Sequence, residues 1–197
     1  MISQAEFYEK LTSKRKIASV KEAKNLEKAL QADVSAAVLS IGNIGMIQRY
    51  VDLFKNHRLP VFLHVERIGG LAQDREGIAF LAHIVKPDGI VTTRNSLIKL
   101  AKREGLLTIQ RLFLVDSDAI RSGMSSVQET QPDAIELMPA LLTDSIERCR
   151  QEVNVPIIAG GLLKNREQML AALAAGASAV SMGSRELWKE KVEHEQL

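Results

Sequence analysis

Short apolar runs alternate with 3.6-periodic segments from one end of this chain to the other, and that alternation restricts the fold more than any other feature. The runs are about four to eight residues long, too brief for helices, and each is followed by an amphipathic stretch. Such a pattern predicts a parallel sheet covered by helices. The first strand is expected at Ile17–Val20, with a helix over Lys21–Gln31. The second, Ala37–Ile41, feeds a helix over Met46–Asn56. Val61–Glu66 is the third, with Ile78–Val85 in the helix after it. Gly89–Thr93 is the fourth, with a helix over Ser96–Glu104. Leu107–Val115 is the fifth, and Asp116 supplies the N-cap for its helix. Ala134–Met138 is the sixth, followed by a helix over Thr143–Glu152. Pro156–Gly161 and Ala179–Ser184 contain the last two strands, and the C-terminal helix carries Trp188.

Eight β–α units at a spacing of roughly 20–28 residues predict a single compact (β/α)8 barrel over residues 1–197. Pro60, Pro87, Gly105, Pro132 and Gly176 stand just before strands, where they punctuate the units. An open doubly wound sheet is the alternative, but the chain lacks a Gly-x-Gly-x-x-Gly turn after its first strand.

Composition limits the function classes. With 46% apolar and 25% charged residues the chain reads as an ordinary soluble globule. No apolar run approaches the ~18–20 residues of a membrane span, so no membrane partner is expected. The amphipathic start at Gln4–Leu11 is no signal peptide. One cysteine, Cys149, forms no intrachain disulfide, which fits a reducing cytoplasm. A formal charge of +2 is only mildly basic, and 4% aromatic content argues against a base-stacking platform.

In a barrel, ligands lie at the carboxyl ends of the strands, and the loops after strands seven and eight are the usual phosphate cradle. Gly160, Gly161 and Gly183 end those two strands here. Without a Cβ they let backbone N–H groups approach an anion, and the helix beginning at Ser184 adds its N-terminal dipole. The bland alternative is that these glycines only make turns. His64 and Glu66, two apart on the expected third strand, project from one face and serve either as an acid–base pair or as a structural pair. Arg94 directly follows strand four, where a guanidinium can clamp an anion. Gln110 and Arg111 point to opposite faces of strand five; which one enters the barrel is open. Glu136, a carboxylate within an apolar run, requires a partner, and Arg111 on the neighbouring strand is a candidate. Asn43, after strand two, either bonds a ligand hydroxyl or is a plain loop residue. Lys164 either reaches the phosphate or is solvated.

Metal ligation is not expected, because His57, His83 and His194 show no paired spacing. No nucleophile-elbow motif, P-loop or strand lysine is present to point to an enzyme. Basic clusters at Lys99, Lys102 and Arg103 and at Arg148 and Arg150 flank helices and read first as solvated faces.

Five segments carry a family resemblance: Val61–Glu66, Gly89–Arg94, Ile109–Ser117, Gln131–Pro139 and Pro156–Leu162. Together and in order, they resemble the glycerol-3-phosphate-responsive antiterminators. The resemblance implies a barrel without known turnover. It implies a protein that binds the leader messenger RNA of glycerol-use genes when glycerol 3-phosphate is present, letting polymerase pass a terminator. The effector would be glycerol 3-phosphate or a similar phosphorylated polyol, with no cofactor; oligomerisation stays open. Gly160, Gly161, Gly183 and Ser184 would hold the phosphate, and His64, Arg94, Arg111 and Glu136 would line the mouth. Lys99, Lys102, Arg103, Arg148 and Arg150 are the first places to look for an RNA contact. The chain departs from the pattern at three positions. Glu66 stands where an aspartate is expected, Arg67 where an apolar residue is usual, and Gly69 where a glutamate is. The alternative class is a phosphosugar isomerase, epimerase or lyase.

Overall fold

A computed structural model describes residues 1–192; His194 lies outside the described residues. Eight parallel strands close into a barrel in sequence order. They are β1 (Lys16–Val20), β2 (Ala36–Leu39), β3 (Val61–His64), β4 (Gly89–Thr92), β5 (Leu107–Phe113), β6 (Ala134–Met138), β7 (Ile157–Gly160) and β8 (Ala179–Met182). Each strand pairs with the next, and β8 returns to β1.

The helices are α1 (Gln4–Lys14), α2 (Leu26–Leu30), α3 (Ile47–Asn56), α4 (Arg75–Phe80), α5 (Asn95–Arg103), α6 (Ser117–Thr130), α7 (Thr143–Glu152), α8 (Arg166–Ala174) and α9 (Arg185–Lys189). Period-two alternation divides the apolar side chains between two cores. Ala37, Leu39, Ile135 and Leu137 belong to the large cluster that includes helix side chains such as Val51, Leu97 and Ile146. Ala36, Val38, Ile109 and Ile158 belong to the inner cluster instead.

α1 completes that inner cluster. Its Phe7 and Leu11 are fully buried there, and the Phe7 ring lies 4.9 Å from that of Phe62. Asp88 and Asp133, which precede β4 and β6, tie the helix down. The Asp88 carboxylate accepts from the Ile2 N–H, and Tyr8 donates to the Asp133 carbonyl. The amphipathic start is therefore the plug of the barrel's amino-terminal end, which leaves the opposite end as the open mouth.

Several boundaries differ from expectation. β3 stops at His64, and Val65–Arg67 forms a 3-10 turn, so Glu66 is not a strand residue. The helix after β1 is split into a 3-10 turn, Ala23–Asn25, and the short α2. The helix after β3 runs on from α4 as a π turn at Leu81–Val85.

A lysine does stand within a strand. Lys16 begins β1 at the end away from the mouth, and it is only 2% exposed. Its ammonium donates to the carbonyls of Trp188 and Glu190, capping the end of α9. That engagement, far from any ligand, is structural. Cys149 is buried on α7, and burial pushes its thiol up, helped by Glu152, so it is an unreactive packing residue.

Candidate functional site: the mouth of the barrel

Strand five decides the interior of the mouth. Gln110 turns outward between strand and helices, where its amide donates to Asn95 and Ser126 and accepts from Thr130. Arg111 therefore turns inward. Its register partner on β6 is Glu136. The Arg111 Nε donates to Glu136 Oε2 at 2.8 Å, and both side chains are buried. The other carboxylate oxygen, Oε1, is buried without a hydrogen bond. It lies against Gly160, where an added Cβ would come within 2.6 Å of it. Gly160 thus has a packing reason: it makes room for this carboxylate.

A second polar chain starts at His64. Its ring lies within 3.2 Å of Ser40 Oγ and within 3.2 and 3.3 Å of Arg111 Nη1 through its two nitrogens. Glu66 Oε2 is 3.3 Å from His64 Nε2, an ion-pair distance without the alignment of a hydrogen bond. Its other oxygen accepts from the Thr92 hydroxyl and the Thr93 N–H. Burial alone pushes the Glu66 carboxyl up. Contact with His64, the Thr92 hydroxyl and the backbone N–H groups of Glu66 and Thr93 outweigh it and hold the group at about 2.

A carboxylate held that low contributes stability that is fully present above its ordinary value near 4.5 and is lost as the pH falls through 2. Because the side chain is 20% exposed, the contribution is discounted to roughly 2–3 kcal/mol. Denaturant midpoints of the parent should therefore fall more steeply between pH 4.5 and pH 3 than those of Glu66→Gln. Equal slopes would show that Glu66 gains nothing from its partners.

Above these pairs opens a cavity of about 370 Å³. On one side it is lined by Gly161, Leu162 and Gly183 from the loops after β7 and β8, and by Lys21 from the loop after β1. Ser40, His64, Arg67 and Arg111 line it further round, and Ser181 and Met138 complete the wall. Gly161 holds φ +81, a left-handed conformation that a side chain would strain. Lys21, Arg67 and Arg111 are cations, and among the described residues no carboxylate lines the space.

The structure brings His64, Arg111, Gly161 and Gly183 to the cavity, with Glu66 and Glu136 holding the first two from behind. The other candidates stand elsewhere. The Ser184 hydroxyl donates to Glu186, and the helix it precedes has only five residues, too short for a strong dipole. Arg94 is exposed at the start of α5, outside the cavity lining. Asn43 accepts from the Gly45 N–H and bridges to Gly69, which makes it a turn former. Lys164 is exposed, and its N–H donates to Gln168.

Four of the five basic helix residues are engaged. Lys99 pairs with Glu129 and Lys102 donates to the Gln131 carbonyl. Arg148 lies 3.6 Å from Glu152, and Arg150 donates to the Val153 carbonyl. Arg103 is exposed, and α6 follows between the two helices concerned. Sequence reasoning missed Lys21, although it directly follows the first strand as Arg94 follows the fourth. It also missed Ser40, which the expected strand Ala37–Ile41 enclosed and the observed β2 leaves just beyond its end. Among the described residues, no group of His, Cys, Asp and Glu is placed to hold a metal ion.

Fold and mouth together define a (β/α)8 barrel with a cationic, ligand-sized cavity at the carboxyl ends of its strands. Residues 16–188 match the family described as glycerol-3-phosphate responsive antiterminators, and the chain belongs to that family. It is 32% identical over 172 residues to the Escherichia coli K12 protein YgcP, covering 87% of this chain and 90% of that one. It is also similar to the glycerol uptake operon antiterminator regulatory protein of Listeria monocytogenes. That structure superposes with a TM-score of 0.85 at 34% identity, covering 89% of this chain and 95% of the other. A glycerol uptake operon antiterminator-related protein of Thermotoga maritima shares the fold, with a TM-score of 0.78 at 24% identity, covering 90% and 99%.

Proposed function

We propose that this chain is a cytoplasmic, ligand-gated regulator that turns nothing over. Its mouth takes glycerol 3-phosphate or a close phosphorylated polyol. The loaded barrel then binds the leader messenger RNA of glycerol-utilisation genes and lets polymerase pass a terminator. The observation that carries the ligand half is the lining of the cavity: three cations and two loop glycines, with no carboxylate among its described lining residues. In this reading the backbone at Gly161 and Gly183 and the Lys21 ammonium meet the phosphate. Ser40, His64 and Arg111 meet the hydroxyl end.

The same geometry argues against catalysis. Glu66 is held ionised by His64, Thr92 and nearby backbone N–H groups and so is a poor general acid, and Glu136 is spent on Arg111. The lysine in β1 is buried away from the mouth. Family membership supports the RNA half.

Electrophoretic and calorimetric titrations with leader RNA test this. Affinity should rise when glycerol 3-phosphate is added, and by linkage the RNA should raise affinity for the ligand by the same factor. Log affinity should fall steeply with log salt if about 4–6 phosphates are contacted. Turnover of a phosphorylated sugar at roughly 1 per second or faster would refute the regulator. So would RNA binding indifferent to the ligand.

A further inference from the structure

Two of the three cations at the cavity are uncompensated, and they do not stand together. Arg111 already has its counter-charge in Glu136. Lys21 and Arg67 make no hydrogen bond or ion pair with the described residues, although both line the space. Lys21 follows β1, which pairs with β8, so it adjoins the loop glycines where a phosphate would sit. Arg67 follows β3, with β2 between, on the side where His64 and Arg111 lie.

The turn that carries Arg67 is fixed. Val65 and Ile68 on either side are buried, and Glu66 is bonded to Thr92 and Thr93. Arg67 is exposed, and an unpaired guanidinium on an anchored turn, lining the cavity across the barrel from Gly161, is free to receive an anion. The cavity, about 370 Å³, lies in the range of small-molecule sites, room for a ligand that spans both ends. A triose phosphate with only hydroxyls beyond its phosphate leaves Arg67 unmatched.

We propose that the preferred effector is a phosphorylated hydroxy acid, with its phosphate at Lys21, Gly161 and Gly183 and its carboxylate at Arg67. This deepens the reading of the mouth as a phosphate site and rests on it. A carboxylate suits the position better than a second phosphate. One free guanidinium balances a single charge and matches a carboxylate in bidentate geometry, whereas a second phosphomonoester brings up to two.

Calorimetric titration of the whole chain with glycerol 3-phosphate, 3-phosphoglycerate and 4-phosphoerythronate tests the assignment. At least one acid should bind about 10-fold tighter than glycerol 3-phosphate or better, in line with a charge-assisted hydrogen bond. Arg67→Gln should erase that preference, weakening the favoured acid about 10-fold more than it weakens glycerol 3-phosphate. Glycerol 3-phosphate binding as tightly as both acids would overturn the proposal. So would a loss in Arg67→Gln shared equally by all three ligands, which would place Arg67 on the phosphate. Binding of none of the three would remove the phosphate site itself, and the carboxylate site with it.

Discussion

Replacing Arg111 by methionine should cost the barrel about 3–5 kcal/mol, because it strands a buried carboxylate. Glu136 is 1% exposed, and one of its oxygens already lacks a hydrogen bond. Arg111 Nε supplies the bond to the other. The backbone at Gly160 packs against the carboxylate, so the group has no room to turn toward water. For a chain of this length the loss corresponds to a melting temperature lower by roughly 10 °C. The double variant Arg111→Met with Glu136→Leu should recover much of it, since an apolar pair of similar volume carries no desolvation cost. If the single variant melts with the parent, the pair is solvated in solution and does not organise the mouth.

Lys21→Met should do the opposite. Lys21 is exposed and unpaired, so stability should change by no more than about 0.5 kcal/mol. Affinity for glycerol 3-phosphate should fall about 10–100-fold, the worth of a hydrogen bond to a charged group. Isothermal titration of parent and variant gives both binding constants, and melting curves confirm the unchanged fold. Equal affinities would remove Lys21 from the phosphate site and leave the loop backbone to hold the anion alone.

These two residues also mark what sequence can and cannot convey. The strands were legible because each is an apolar run too short to be a helix; β6 and α7 lie where the pattern places them. The Arg111–Glu136 pair was legible as one of two options, since an apolar run containing a carboxylate demands a partner. Only register and the outward network of Gln110 decide between the options. The end of β3 was not legible. His64-x-Glu66 looks like strand alternation, yet the chain turns at Val65, and the two side chains meet through that turn instead.

The glycine doublet also divides. Gly161 takes a positive φ at the cavity, while Gly160 clears space for Glu136, a long-range contact that a local motif does not reveal. α1 shows ordinary helical periodicity; that its apolar face closes a barrel end follows only from the closed sheet above it. Lys21 and Arg94 obey the same positional rule, and only one of them reaches the cavity.

The most direct test of a phosphate-binding mouth is the melting temperature of the purified chain with glycerol 3-phosphate and with glycerol, side by side at equal concentration. At ~100 times its dissociation constant, glycerol 3-phosphate should add about 2.7 kcal/mol, a rise of roughly 5–10 °C, while glycerol leaves the curve in place. Equal rises with both compounds, or no rise with any phosphorylated triose, polyol or hydroxy acid, would contradict it.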